Sequence, residues 1–168
     1  MLHGRGGHGS RPETTVDPVV MAAATVMRLQ TVVSREVAGG ESAVVTVGAL
    51  HSGNAGNVIP ERADMRVSLR SYDAEVRERL MTSIERIVRA EAAASGADQD
   101  PEVILKESFP VLVNDPDASA RTQAGFDRDL GPGLTLDPGP GTGSEDVGML
   151  ATAAQVSVTG SYAWTCAR

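Results

Sequence analysis

The spacing of apolar residues changes period several times along the chain. Val16, Val19, Val20, Ala23, Val26, Met27 and Val33 recur at threes and fours, which predicts a helix with one buried face. Asp17-Pro18 supplies its N-cap and first helical position, and Ala38-Gly39-Gly40 its expected end. Val44 to Leu50 is a β-rich run without charge. Ala63 to Arg70 alternates strictly, with Ala63, Met65, Val67 and Leu69 on one face and Asp64, Arg66, Ser68 and Arg70 on the other. A second helix opens at Asp73, carries the stripe Val76, Leu80, Ile84, Ile87, Val88 and Ala92, and stops at Gly96. Val103-Ile104-Leu105 reads as a strand.

With a short strand at the N-terminus, the order is β-α-β-β-α-β. This predicts an α+β fold, a ferredoxin-like sandwich over residues 1–112 with a four-stranded antiparallel sheet and both helices on one face. Residues 113–168 read differently. Asp115-Pro116 predicts a third helix through Phe126, followed by a Gly/Pro-rich stretch from Gly131 to Gly143. A short helix, Val147 to Ala153, and a strand, Gln155 to Thr159, are expected next. The tail 160–168 follows no pattern.

Composition narrows the function. With 41% apolar and 22% charged residues, a globular fold is expected. No apolar run approaches the ~18–20 residues that span a bilayer, and no leader-like segment opens the chain, so neither membrane nor secretion is expected. The net charge of −7, with no basic cluster, argues against nucleic acid. The single cysteine, Cys166, permits neither an internal disulfide nor a Cys-rich zinc site, and fits a reducing cytoplasm.

Candidate chemistry is sparse. His8 sits between Gly7 and Gly9, in a turn where glycines would let a ligand approach the backbone. It could donate to a developing oxyanion or simply lie in solvent. Asn57 precedes a strand, where its amide could hold a carbonyl or close a turn. Arg70 ends the alternating strand on its polar face and suits bidentate carboxylate binding or a surface pair. Glu145-Asp146 fits capping at a helix N-terminus. The three histidines, His3, His8 and His51, show no HxxxH or HExxH spacing, so no metal site is expected in this chain.

Five segments occur in order: Gly4-Arg5-Gly6-Gly7-His8-Gly9-Ser10-Arg11-Pro12-Glu13, Asp17-Pro18, Asn57-Val58-Ile59-Pro60, Leu69-Arg70 and Gly143-Ser144-Glu145-Asp146. Together they resemble the M20 metallopeptidase and amidohydrolase family, in its hippurate hydrolase and N-acyl-amino-acid amidohydrolase branch. The resemblance runs to about Thr159. It implies a lid domain that mediates homodimerisation, then a return into a catalytic domain that binds divalent metal, Zn or Mn. It implies that His8 polarises the scissile carbonyl, in several members from the partner subunit. Asn57 would hold the substrate and Arg70 would bind its terminal carboxylate. The family's Cys/His and Glu/Glu metal-ligand segments have no counterpart here, and no histidine follows His51. The chain therefore reads as a lid fragment with an incomplete α/β catalytic segment, inactive alone and binding no metal tightly. Two other readings stand beside it: a stand-alone ferredoxin-like module for small carboxylates, and a small hydrolase using His8 and Glu145.

Overall fold

In a computed structural model the chain is described over residues 1–133, with 135–136, 139, 141, 148–149 and 165–166. Two compact units divide it, Met1–Leu105 and Lys106–Arg168.

The first unit contains β1 (Leu2–His3), β2 (Gly7–His8), a 3₁₀ turn (Pro12–Thr14), α1 (Pro18–Glu36), β3 (Ala43–Ser52), β4 (Val58–Ile59), β5 (Arg62–Ser71) and α2 (Ala74–Ala94). β1, β5 and β3 form an antiparallel sheet in that order. The sheet has one buried face because β5 alternates: Ala63 is fully buried, Met65, Val67 and Leu69 pack against the core, and Asp64, Arg66 and Ser68 are exposed. Gly48 is the extra residue of a bulge between Val47 and Ala49. Both helices share this one core, where Met21, Leu29 and Val32 of α1 meet Leu80, Ile84, Ile87 and Val88 of α2. They therefore lie on the same face of the sheet.

Each helix starts where its cap dictates. The Asp17 carboxylate accepts from the Val19 N–H (2.8 Å), and that of Asp73 accepts from the N–H groups of Glu75 (2.7 Å) and Val76 (3.1 Å). All six residues of the expected α2 stripe are buried, and Gly96 follows the helix at φ +72°. In α1 the structure overturns the expected face. Val19, Val20 and Met27 are exposed, whereas Pro18, Met21, Ala22, Thr25, Leu29 and Val32 are buried. The helix also ends earlier, at Glu36, with extended Val37 as its cap and no left-handed glycine.

The fourth strand expected at Val103–Leu105 does not form. Only Glu102 pairs with the sheet, exchanging backbone hydrogen bonds with Met1 (2.6 and 2.9 Å) on the side of β1 away from β5. Ile104 is 71% exposed, so no apolar burial holds the segment in a ladder.

Ion pairs tie α1 and the loop after it to α2. Glu36 accepts from the Ser83 hydroxyl (2.6 Å) and Arg86 (2.8 Å), and these bonds hold its carboxyl below the usual carboxylate range. Arg79 (2.6 Å) and the Ala38 N–H (3.1 Å) do the same for Glu41.

In the second unit α3 spans Pro116–Leu130, four residues beyond the expected Phe126, with the Asp115 carboxylate accepting from the Ala118 N–H (2.7 Å). β6 (Thr135–Leu136) pairs with β7 (Thr165–Cys166), and Gly148 and Met149 are helical. Glu145-Asp146 and the strand expected at Gln155–Thr159 lie outside the described residues.

Candidate functional site

The N-terminal glycine-rich segment runs antiparallel to the chain entering β5. Leu2 pairs with Ala63 and His3 with Arg62, then Gly7 with Ile59 and His8 with Val58. Between them Arg5 turns aside to exchange backbone bonds with Val16 (2.9 and 3.0 Å). The glycines are needed because the backbones run close. A Cβ on Gly6 would lie 2.9 Å from the Ile59 carbonyl oxygen, one on Gly7 2.7 Å from Thr15 Cγ2, and one on Gly9 3.2 Å from the Asn57 oxygen. At these positions the space that a Cβ would take is filled by the protein's own chain.

The ribbon brings His8 beside Asn57. The Gly9 N–H donates to the Asn57 carbonyl (2.8 Å), and the His8 carbonyl accepts from the Arg11 N–H (2.9 Å), closing a tight turn. Inside that turn the His8 ring meets Ser10. Nδ1 lies 2.7 Å from Ser10 Oγ and accepts from the Ser10 backbone N–H at 3.2 Å. Ser10 is a residue that spacing alone did not single out. The ring itself is exposed.

Arg70 is elsewhere. It sits at the far end of β5, opposite Val44, on the sheet face that carries Arg66 and Asp64. The ribbon adjoins the Arg62 end. Eight residues at a rise of ~3.3 Å put Arg70 about 26 Å along the strand from that end. One copy of the chain therefore brings His8 and Asn57 together and holds Arg70 apart from both.

A family model described as the peptidase dimerisation domain matches residues 2–95. The chain belongs to the M20 peptidase dimerisation-domain family. The sheet and both helices of the first unit fall within that match. Hippurate hydrolase of Campylobacter jejuni is 38% identical over 117 residues, covering 68% of this chain and 30% of that protein. N-acetyldiaminopimelate deacetylase of Anoxybacillus flavithermus is 47% identical over 88 residues, 52% of this chain and 23% of that one. A crystallised tripeptidase of Staphylococcus aureus shares the fold, with a TM-score of 0.70 at 22% identity, over 90% of this chain and 39% of that one. The chain thus spans less than a third of the length of the two curated relatives it matches here.

M20 peptidases and amidohydrolases are metal-dependent. The described residues do not fit that role: no group of three or more His, Cys, Asp or Glu side chains among them could hold a metal ion. No helix among the described residues is long and apolar enough to cross a membrane.

Proposed function

We propose that this chain is the lid and dimerisation segment of a metal-dependent amidohydrolase that cleaves the amide bond of N-acyl amino acids or short peptides. Two copies pair as a homodimer, and each site draws on both. The observation that carries this reading is the separation of Arg70 from the ribbon holding His8 and Asn57. A small N-acyl amino acid cannot span about 26 Å, so the three residues serve one substrate only if two copies share the work. His8 and Asn57 of one copy meet the scissile carbonyl, and Arg70 of the other grips the terminal carboxylate. His8 gives a hydrogen bond that strengthens as negative charge develops on the carbonyl oxygen. Arg70 gives two parallel bonds, which a lysine could not reproduce. The catalytic metal, Zn or Mn, is held by residues outside the lid, in a cytoplasmic enzyme. The lid by itself turns over no substrate.

Subunit complementation tests this reading. The segment is joined to an M20 metal-binding half, and His8→Ala and Arg70→Ala variants are assayed on N-acyl amino acids singly and co-assembled. His8→Ala alone should lose about 10²–10³ in kcat. Arg70→Ala should lose roughly ten- to a hundred-fold in kcat/KM, from charge-assisted bonds of ~1.5–3 kcal/mol. Random mixing makes half the dimers hybrid, each with one intact site, so activity should return to about a quarter of the parent. Activity no higher than the mean of the two single variants would refute shared sites. Turnover by the unjoined chain with Zn²⁺ or Mn²⁺ would refute the assignment to a lid.

A further inference from the structure

Two donors converge on one nitrogen of His8, and one of them has no alternative role. A backbone N–H can only donate, so the Ser10 N–H at 3.2 Å requires a bare lone pair on Nδ1. The Ser10 hydroxyl, 2.7 Å from the same atom, can rotate to donate as well. A proton on Nδ1 would face the Ser10 N–H head-on. In the neutral ring the proton must then sit on Nε2, the nitrogen that points away from the turn.

Two backbone hydrogen bonds close the turn around this arrangement. The bonds from Arg11 to the His8 carbonyl and from Gly9 to the Asn57 carbonyl fix the backbone on both sides of Ser10. No carboxylate is needed to select the tautomer, as it would be in a histidine oriented by an acid.

We propose that Ser10 is a positioning residue that holds His8 as its Nε2–H tautomer, so that the exposed ring nitrogen is a ready donor to a substrate carbonyl oxygen. This rests on the reading of His8 as the carbonyl-oxygen donor. The alternative tautomer would present a lone pair to that oxygen and repel it. A freely rotating ring would present the donor only part of the time, which costs rate through lost preorganisation.

The test reads the tautomer directly, on the whole chain and without any activity. Long-range ¹H–¹⁵N correlation spectra of the ¹⁵N-labelled protein are recorded at about pH 9, where an imidazole is neutral. His8 signals are assigned by their loss in His8→Gln. The expected result is a His8 Nδ1 with the shift of an unprotonated ring nitrogen and an Nε2 with that of an N–H. Ser10→Ala keeps the backbone N–H and loses only the shorter hydroxyl contact, so both shifts should move part of the way toward the averaged values of an exchanging ring, with His3 and His51 unmoved, and Ser10→Thr should restore the wild-type pattern. A protonated Nδ1 in the wild type would overturn the proposal, as would a His8 pattern that Ser10→Ala leaves unchanged. If the tautomer is locked but His8→Ala costs no activity in the joined enzyme, the carbonyl role falls and the Ser10 lock stands.

Discussion

Gly4 has no room for a side chain. A Cβ there would collide with the Val16 carbonyl oxygen and lie 2.6 Å from Cδ of the Pro18 ring, both held in place by the start of α1. Gly56, in the loop before β4, has nothing within 4 Å of its virtual Cβ. Gly4→Ala should therefore cost about 1–3 kcal/mol by overpacking. At roughly 4–8 °C per kcal/mol for a domain of this size, its Tm should fall by at least about 4 °C. Gly56→Ala should leave Tm within about 2 °C, since surface changes away from contacts stay near ±0.5 kcal/mol. Equal melting of the two variants would mean that close chain packing does not explain the glycines. The sequence shows a glycine-rich turn around His8, but not what fills the space. The answer lies at Asn57 and Ile59, about fifty residues away, and no local period records a contact of that range. The same distance hides the pairing of His8 with Val58, beside Asn57, which neither spacing nor the family resemblance supplied.

The two long helices show when periodicity suffices. α2 carries Arg and Glu around most of its circumference, so its apolar residues fall on one stripe and the buried face follows. α1 reads Pro-Val-Val-Met-Ala-Ala-Ala-Thr-Val-Met over its first turns, apolar nearly all round, and several stripes fit equally well. Its true face includes Thr25, fully buried because its hydroxyl donates back to the Met21 carbonyl (2.9 Å). A pattern that counts only apolar residues passes over it. Charge adds a testable bond between the elements. Ser83 and Arg86 of α2 hold the Glu36 carboxyl of α1 below its ordinary range, and Arg79 holds that of Glu41. A lowered folded pKa contributes stability above the unfolded value, about 4.3, and loses it as pH falls through the lowered folded one. Glu36→Gln and Glu41→Gln should thus melt lower than the parent at pH 7, with the gap narrowing as pH falls below the unfolded value and through the lowered folded one. A gap constant with pH, read by thermal melts across that range, would assign these pairs no part in acid sensitivity.

At the scale of the whole molecule, β3 is the exposed end of the sheet. Its outer edge has no strand partner among the described residues, and from Val44 to Leu50 it carries no charge. Ten residues of unpaired edge, seven of them apolar or glycine, are a template for pairing, and natural sheets cover such edges or blunt them. In the homodimer proposed above, a second copy of the same edge would cover it symmetrically, an isologous contact that closes on itself. The lack of charge from Val44 to Leu50 was legible in the sequence, but the strand's full extent, Ala43–Ser52, was not. The absence of a regular fourth strand was not legible either, because Val103-Ile104-Leu105 has the composition of a strand but finds no apolar surface to cover. Sedimentation equilibrium on this chain tests the pairing most directly, comparing it with a Val44→Lys/Thr46→Lys variant that puts cations on the edge. The parent should sediment as a dimer at micromolar concentration, and the variant as a folded monomer with an unchanged far-UV spectrum. A parent that remains monomeric at high micromolar concentration, or a variant that dimerises as well as the parent, would contradict pairing through β3.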